Sequence, residues 1–384
     1  ASLITKLFKG TGFLLLALTS QFVSAQSLDL DIRNQEYSGD TLFFDIYMTR
    51  NGGSSDFYLG NADFVLTYNN ANFSSPTLNY VNGSNTLTNS NANATCAYNS
   101  NIATDIVSNK LIINVNQPTF SNQTDFNNNI AKIDATAETH RLGTFYILGL
   151  QSHAASPQLA WVGTGNPKTN VYSLDNTSPW RSRKINSLNL NDPTPGSEPN
   201  SQVTALTVSG YTDTTMSLSW TAGNGSSTLV LAKQGSAVST DLPIDGLIYN
   251  ADSFGVGSQI GNTGVYIVYR GAGTSTTVLK LDPATVYHFA AVTFNGSSGY
   301  SENYFTTSPA TATDTTKSAE PNTSATNLVV SAFTTSSLSL TWDNGDGAGR
   351  IVVARSGSAV GATPADGSEY SSTGSFTTGE AIST

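Results

Sequence analysis

The sequence predicts an all-β protein built from tandem β-sandwiches. Short runs in which apolar and polar residues alternate, such as TLFFDIYMTR at 41–50, have the period of two expected for a strand with one buried face. Stretches rich in Asn, Ser and Gly separate these runs, and no stretch has clear helical periodicity. The phrase SLSWTAGNG at 217–225 returns as SLTWDNGDG at 339–347, which indicates a duplicated module.

Size and composition favour two or three domains and an exported protein. The chain has 384 residues, of which 38% are hydrophobic and only 11% are charged. This length exceeds what one hydrophobic core usually serves. A surface made polar by amides and hydroxyls is typical of exported β-rich proteins. The net charge of −10 disfavours nucleic-acid binding, which needs clustered Lys and Arg.

Residues 1–25 are predicted to be a signal peptide. Lys6 and Lys9 precede an apolar run at 13–18 that is too short to span a bilayer, and Val23 and Ala25 precede a cleavage point. We therefore expect cleavage after Ala25, a secreted or cell-surface location, and no transmembrane segment in the mature chain. Cys96 is the sole cysteine, so no internal disulfide can form.

Residues 26–190 are predicted to form the first β-sandwich. Alternation along four runs marks the inward positions, which are Phe44, Ile46, Met48, Phe64, Leu66, Tyr68, Leu111, Ile113, Val115, Phe145 and Ile147. Residues 191–200, NDPTPGSEPN, are predicted to be a linker, because three prolines disfavour both helix and sheet.

The order of features in this first module resembles that of cohesin-like sandwiches and related carbohydrate-binding folds. GNADFVLTYNNANFSSPTL follows an early strand pair, and RLGTFYILGL comes late. In that family a Tyr-Asn or Tyr-Asp turn followed by a hydrophobic residue recurs, and Tyr68 and Asn69 match it here. The resemblance implies a jelly-roll sandwich.

The duplication covers a whole module. Trp220 matches Trp342 at a spacing of 122 residues, one residue is then deleted so that Tyr249 matches Tyr370, and Phe254 and Phe376 restore the spacing. A match that survives such a slip indicates duplication rather than chance similarity. The two copies are predicted at 201–316 and 317–384.

The second copy is incomplete in this sequence. Thr384 aligns with Asn262, so counterparts of residues 263–316 are missing. Half a sandwich cannot bury its apolar face and leaves a sheet edge exposed. We therefore expect the natural protein to continue beyond residue 384, into further modules, an enzyme domain or a sorting tail.

The first copy resembles a fibronectin type III module. VLKLDPATVYHFAAVTFNG at 278–296 is similar to the stretch in which a Tyr near the start of strand F, here Tyr287, closes a corner with its hydroxyl. The resemblance implies a core that contains Tyr287 and Trp220, and Trp342 in the second copy. The excess length lies between Ala232 and Gly264, and this longer form resembles variants common in large exported proteins of Bacteroidetes.

Three features of the sequence could indicate catalysis or metal binding. His140 with Asp134 and Glu138 could form a cation or acid/base cluster, but such residues are also ordinary choices before a strand. His288 is expected to be an exposed sheet residue. The run DNGDG at 343–347 suggests calcium, but its spacing favours a turn. We predict no catalytic residue, metal ligand or cofactor.

Aromatic residues offer one further possibility, a sugar-stacking platform. Trp161, Tyr172 and Trp180 are the candidates, because exposed flat rings can pack against sugar faces. Burial in the sandwich core is the favoured alternative, since aromatic side chains usually supply buried area.

The sequence favours a non-catalytic secreted or cell-surface modular protein whose modules act as spacers or adhesive units. Its partner would be an extracellular protein or a polysaccharide, and not nucleic acid. The alternative is a set of accessory modules, with carbohydrate binding as one option, of an extracellular hydrolase whose catalytic domain lies beyond residue 384. Catalysis by residues 28–190 themselves is the least favoured hypothesis.

Overall fold

The computed structural model describes residues 27–51, 56–89, 96, 98–133, 139–153, 155–297, 301–376 and 378–382. Within these ranges the regular secondary structure is almost entirely β, with 45% of residues in strands and 4% in helices, which confirms the predicted fold class. The first sandwich consists of β1 (Ser27–Ser38), β2 (Thr41–Asn51), β3 (Phe57–Thr67), β4 (Phe73–Tyr80), β5 (Ile102–Val107), β6 (Lys110–Val115), α1 (Gln123–Asn129), β7 (Lys132–Ile133), β8 (Thr139–Leu150), β9 (Ala160–Trp161), β10 (Asn170–Leu174), β11 (Ser182–Lys184) and β12 (Ser187–Asn191).

Two sheets form this sandwich. One has the strand order β12-β1-β2-β8-β4, and the other has the order β11-β10-β3-β6-β5, with β7 and β9 also paired to β3. Strand β12 pairs in parallel with β1, so the end of the module lies beside its beginning. The predicted inward residues are all at most 8% exposed and belong to one hydrophobic cluster, which confirms the alternation pattern.

The predicted Tyr-Asn turn carries the chain from one sheet to the other. Strand β3 ends at Thr67 in the second sheet, and β4 starts at Phe73 in the first. Between them, the Tyr68 hydroxyl donates to Asn70 Oδ1 at 3.0 Å, and the Asn69 N–H donates to the Pro157 carbonyl at 2.8 Å. These bonds satisfy polar groups at a crossing where no ladder is available.

Helix α1 was not predicted from the sequence. Its seven residues are too few to show a period of 3.6. Asn122 precedes the helix, and its side chain accepts a hydrogen bond from the Asp125 N–H at 2.9 Å, as N-cap residues do. Phe126 is the buried residue of the helix.

The second module is a sandwich of two antiparallel sheets. Its strands are β13 (Thr204–Tyr211), β14 (Met216–Thr221), β15 (Ser227–Gln234), β16 (Val265–Gly271), β17 (Ser275–Val278), β18 (Val286–Asn295), β19 (Asn303–Tyr304) and β20 (Ala310–Thr315). One sheet has the order β13-β14-β17, and the other has the order β16-β15-β18-β19 with β20 also paired to β18. Trp220 on β14 is 6% exposed and Tyr287 on β18 is fully buried, both in the cluster between the sheets.

The second copy repeats the first two strands of that module. Strands β21 (Thr326–Phe333) and β22 (Leu338–Asp343) lie 122 residues after β13 and β14, with the same register irregularities at corresponding positions. The described residues contain no second sheet over this pair. Trp342 is 37% exposed rather than in a core, because no second sheet lies over it among the described residues.

Candidate interdomain interface

The extra length of the second module forms one continuous insertion. It occupies residues 235–264, between β15 and β16, and thus lies within the bounds expected from the sequence. It is held by its own contacts, since the Ile244 N–H donates to the Tyr249 hydroxyl at 3.1 Å. The Tyr304 N–H donates to Asp245 Oδ1 at 2.7 Å, which ties the insertion to β19.

The insertion covers the outer face of a sheet whose inner face is already buried. On β15, Val230 and Ala232 face the core between the two sheets, whereas Leu229 and Leu231 face the opposite way and are also fully buried. An antiparallel sheet needs only one covered face. Insertion residues in the same outer cluster are Val238, Leu247, Tyr249 and Ile260.

That outer cluster is continuous with the core of the first sandwich. One hydrophobic cluster contains three groups of residues: the outward-facing residues of β15, β16 and β18, the buried residues of the insertion, and the residues between the two sheets of the first module. Tyr249 is 2% exposed, and its ring contacts Tyr304 with centroids 5.8 Å apart. The two modules therefore share buried apolar contacts.

A β-bulge of the first module receives the insertion. The register of β1 against β2 shifts between Arg33 and Glu36, which leaves Gln35 outside the ladder. The Gln35 carbonyl accepts from the Ile248 N–H at 2.7 Å, and the Gln35 side chain donates to the Gly246 carbonyl at 3.3 Å. The bulge thus supplies backbone groups that the insertion satisfies.

Glu36 adds a polar contact beside this bulge. Its carboxylate accepts from the Ser258 hydroxyl at 2.8 Å and from Asn250 Nδ2 at 3.3 Å. Burial raises the pKa of the Glu36 carboxyl, and the Ser258 hydrogen bond partly opposes this rise. The site therefore holds a carboxyl group that is more easily protonated than an exposed glutamate.

Two further segments join the modules. His153 lies in the first module, where its Nε2 atom is 2.7 Å from the Gly39 carbonyl. Gly261 of the insertion packs against it, so that a Cβ on Gly261, whose φ is +54°, would lie 3.3 Å from the His153 side chain. The predicted linker also lies along the second module, because the Gly196 N–H donates to the Ser301 carbonyl at 2.8 Å. Asn303 Nδ2 donates in turn to the Gly196 carbonyl at 2.7 Å.

A cavity of about 550 Å³ lies between the modules. Its walls come from the first module at Glu36 and Tyr37 and from the insertion at Asn250, Asp252 and Asn262. The pKa of Asp252 is lowered by hydrogen bonds from the Ser253 N–H and hydroxyl. The two carboxyl groups of the cavity thus have pKa shifts of opposite sign.

We expect Glu36→Gln to become more stable relative to the wild type as the pH rises. Because the folded-state pKa of Glu36 is raised above 4.5, its contribution to stability is full below that value and is lost as the pH rises through the folded pKa. Urea unfolding of both proteins, from below pH 4.5 to above the folded-state pKa of Glu36, measures the difference between their free energies of unfolding. Asp252→Asn is the control, since its stability relative to the wild type should fall with rising pH. Parallel curves for Glu36→Gln and the wild type would contradict the assignment.

The structure separates the three aromatic candidates. Trp161 is 8% exposed and packs against Phe64 in the main core, so it cannot form a platform. Tyr172 and Trp180 are half-buried and lie on the outer face of the sheet that contains β10 and β11. There Trp180 packs against the cluster of Phe126, Ile130 and Leu174.

The structure describes three of the remaining candidate positions. His140 is buried on β8, whereas Asp134 and Glu138 lie outside the described residues. His288 is half-buried, with Nδ1 2.9 Å from the Thr313 hydroxyl. In the DNGDG run, Asp346 accepts from two backbone N–H groups, as Asn224 does in the first copy, which is the role of a turn residue.

Within the described ranges, no three His, Cys, Asp or Glu side chains are grouped as metal ligands would be. In the same part of the chain, no helix is long and apolar enough to cross a membrane.

No protein-family model and no curated protein matches the sequence. Similar solved structures include a two-domain fibronectin type III segment of chicken tenascin, at 12% identity over 75% of this chain and 98% of that chain, with a TM-score of 0.19. The first three fibronectin type III domains of chicken CNTN1 match at 12% identity over 75% and 64%, with a TM-score of 0.21. A domain of human fibronectin type III domain containing protein 3 matches at 16% over 33% and 93%, with a TM-score of 0.21.

The strand order and one hydrogen bond identify the fold of the second module. A three-stranded sheet of the first, second and fifth strands faces a five-stranded sheet of the third, fourth, sixth, seventh and eighth. The Asp282 N–H donates to the Tyr287 hydroxyl at 2.8 Å, which is the predicted tyrosine corner. Residues 204–315 therefore have a fibronectin type III-like fold, with a 30-residue insertion at 235–264 that contacts the preceding sandwich.

Proposed function

We propose that this chain is a non-catalytic part of a secreted or cell-surface modular protein, in which the first sandwich and the fibronectin type III-like module act as one rigid spacer. The observation that carries the proposal is the hydrophobic cluster shared by both modules and the insertion. Modules joined by a flexible linker would instead each bury only their own core.

Other features support two specific parts of this proposal, export of the protein and a cohesin-like first sandwich. The leader-like residues 1–25 support export. The two-sheet architecture and the Tyr68-Asn69 turn support a cohesin-like first sandwich. Such a spacer would hold an adhesive surface at a fixed distance and orientation from the next module, and its partner would be an extracellular protein or a polysaccharide.

Small-angle scattering tests the spacer function. Ile248→Pro removes the N–H that donates to Gln35, and we expect a larger radius of gyration and a longer maximum dimension than in the wild type. Glu369→Pro is the matched control, because Glu369 is the exposed equivalent of Ile248 in the second copy. The proposal is wrong if the wild type itself scatters as two flexibly joined modules and both variants have the same scattering as the wild type.

A second candidate function is carbohydrate binding as an accessory module of an extracellular hydrolase. The observation that favours it is Trp180, which is half-exposed on the first sandwich.

A further inference from the structure

A short basic run lies beside Trp180 in an otherwise acidic protein. The whole chain has 17 Lys and Arg against 27 Asp and Glu, yet Arg181, Arg183 and Lys184 occur within four successive positions. All three are exposed. Strand β11, which carries Arg183 and Lys184, is the edge strand of its sheet.

Tyr172 and Lys184 share the outer face of this sheet with the Trp180 cluster. They are directly paired between β10 and β11, so their side chains project to the same side. Val171 belongs to the inner core, whereas Leu174 belongs to the outer cluster, which places Tyr172 on the outer side. We call Tyr172, Trp180 and Lys184 the basic aromatic patch.

The Trp180 ring is held in position by its neighbours. It is stacked on Phe126 with an interplanar angle of 18° and a centroid distance of 6.3 Å, and Phe120 contacts it edge-on. Its indole N–H donates to Gln123 Oε1 at 3.3 Å, and Gln123 in turn donates to the Asn176 carbonyl at 2.9 Å. The ring is therefore a rigid surface element.

The backbone at Trp180 is strained. Its φ of +43° lies in the left-handed region, which bulky residues rarely adopt. Backbone strain of this kind is retained where the surrounding structure enforces it and is frequent at binding sites. Arg183 is engaged by Asp175 through two hydrogen bonds of 2.8 and 3.1 Å, which anchors the strand that carries Lys184.

We propose that the basic aromatic patch binds an acidic polysaccharide. Flat aromatic rings supply apolar contact to sugar faces, and the exposed Lys184 ammonium attracts carboxylate or sulfate groups. Cations on an edge strand also prevent association of sheet edges, but that role needs no rigid, half-exposed Trp. This inference rests on the second candidate function, carbohydrate binding, and is independent of the spacer function and of the interface between modules.

Affinity electrophoresis of the full chain tests the proposal, with polygalacturonate and dextran sulfate as anionic probes and dextran as the neutral one. We expect the anionic probes to retard the wild type, and retardation to weaken with added salt. Lys184→Ser and Trp180→Ala should each lower affinity by about tenfold or more. Trp180→Tyr, which keeps a ring, should retain most of it.

Arg355→Ser and Tyr211→Ala are the matched controls, because they remove an exposed cationic and an exposed aromatic side chain that lie outside the patch. Several results would overturn the proposal: no retardation by either anionic probe, equal retardation by dextran, equal losses in the controls, or tighter binding to single-stranded RNA than to both polysaccharides. A response to only one anionic probe would identify carboxylate or sulfate as the recognised group.

Discussion

Replacing Trp220 with alanine is expected to destabilise the second module by about 3–5 kcal/mol, the usual cost of removing a large buried aromatic side chain. Trp220 is 6% exposed, and its ring contacts Tyr269 with centroids 5.0 Å apart. The loss would leave a cavity between the two sheets. Hydrogen exchange of β15 and β18 peptides, together with urea unfolding, measures the effect.

Trp342→Ala is the matched control for that experiment. The residue occupies the same position of the repeat but is 37% exposed, so we expect a cost of about 1 kcal/mol or less. Equal losses of stability in the two variants would contradict the difference in burial between the two copies.

Tyr249→Ala is expected to have an effect of similar size, about 3–5 kcal/mol, and to act on both modules. The side chain is 2% exposed within the shared cluster, and its hydroxyl accepts the Ile244 N–H. Its removal should separate unfolding of the first sandwich from that of the second module. Urea unfolding monitored by hydrogen exchange in β2 and in β18 should therefore change from coincident to separate transitions.

Tyr370→Ala provides the comparison. The Tyr370 hydroxyl accepts the Ala365 N–H at 3.0 Å, which repeats the contact within the first insertion, but Tyr370 is only half-buried. We expect a much smaller change and coincident transitions. Coincident transitions in Tyr249→Ala as well would show that the insertion does not couple the modules.

The sequence predicted the parts of the fold that rest on local patterns. Alternation identified Phe44 and Leu111 as core residues, and both are fully buried. The spacing of 122 residues predicted strands β21 and β22 at positions equivalent to β13 and β14. The tyrosine corner was predicted because Tyr287 and its neighbours form one short, contiguous phrase.

The interface could not be predicted, because it depends on contacts between distant segments. Nothing local to Gln35 indicates a bulge that accepts a hydrogen bond from Ile248, more than 200 residues later. The excess length of the second module is visible in the sequence, but the apolar residues within it do not indicate which surface they cover. Trp342 was expected in a core because the repeat pattern specifies a position, whereas burial also requires the strands that cover it.

The aromatic candidates illustrate the same limit. Trp161 and Trp180 occur in one stretch of sequence, yet one lies in the main core and the other against a separate cluster on the outside. The run Arg181–Lys184 was missed because the low overall content of Lys and Arg concealed a local concentration.

Spin-label distances between the two modules test the rigid coupling most directly. Cysteines introduced by Val107→Cys on β5 and Tyr211→Cys on β13 would occupy exposed positions. Cys96 should stay unlabelled, because it is buried and burial raises the pKa of its thiol to about 12. We predict one narrow distance distribution that broadens in Tyr249→Ala. A broad distribution in the otherwise native chain would contradict the account.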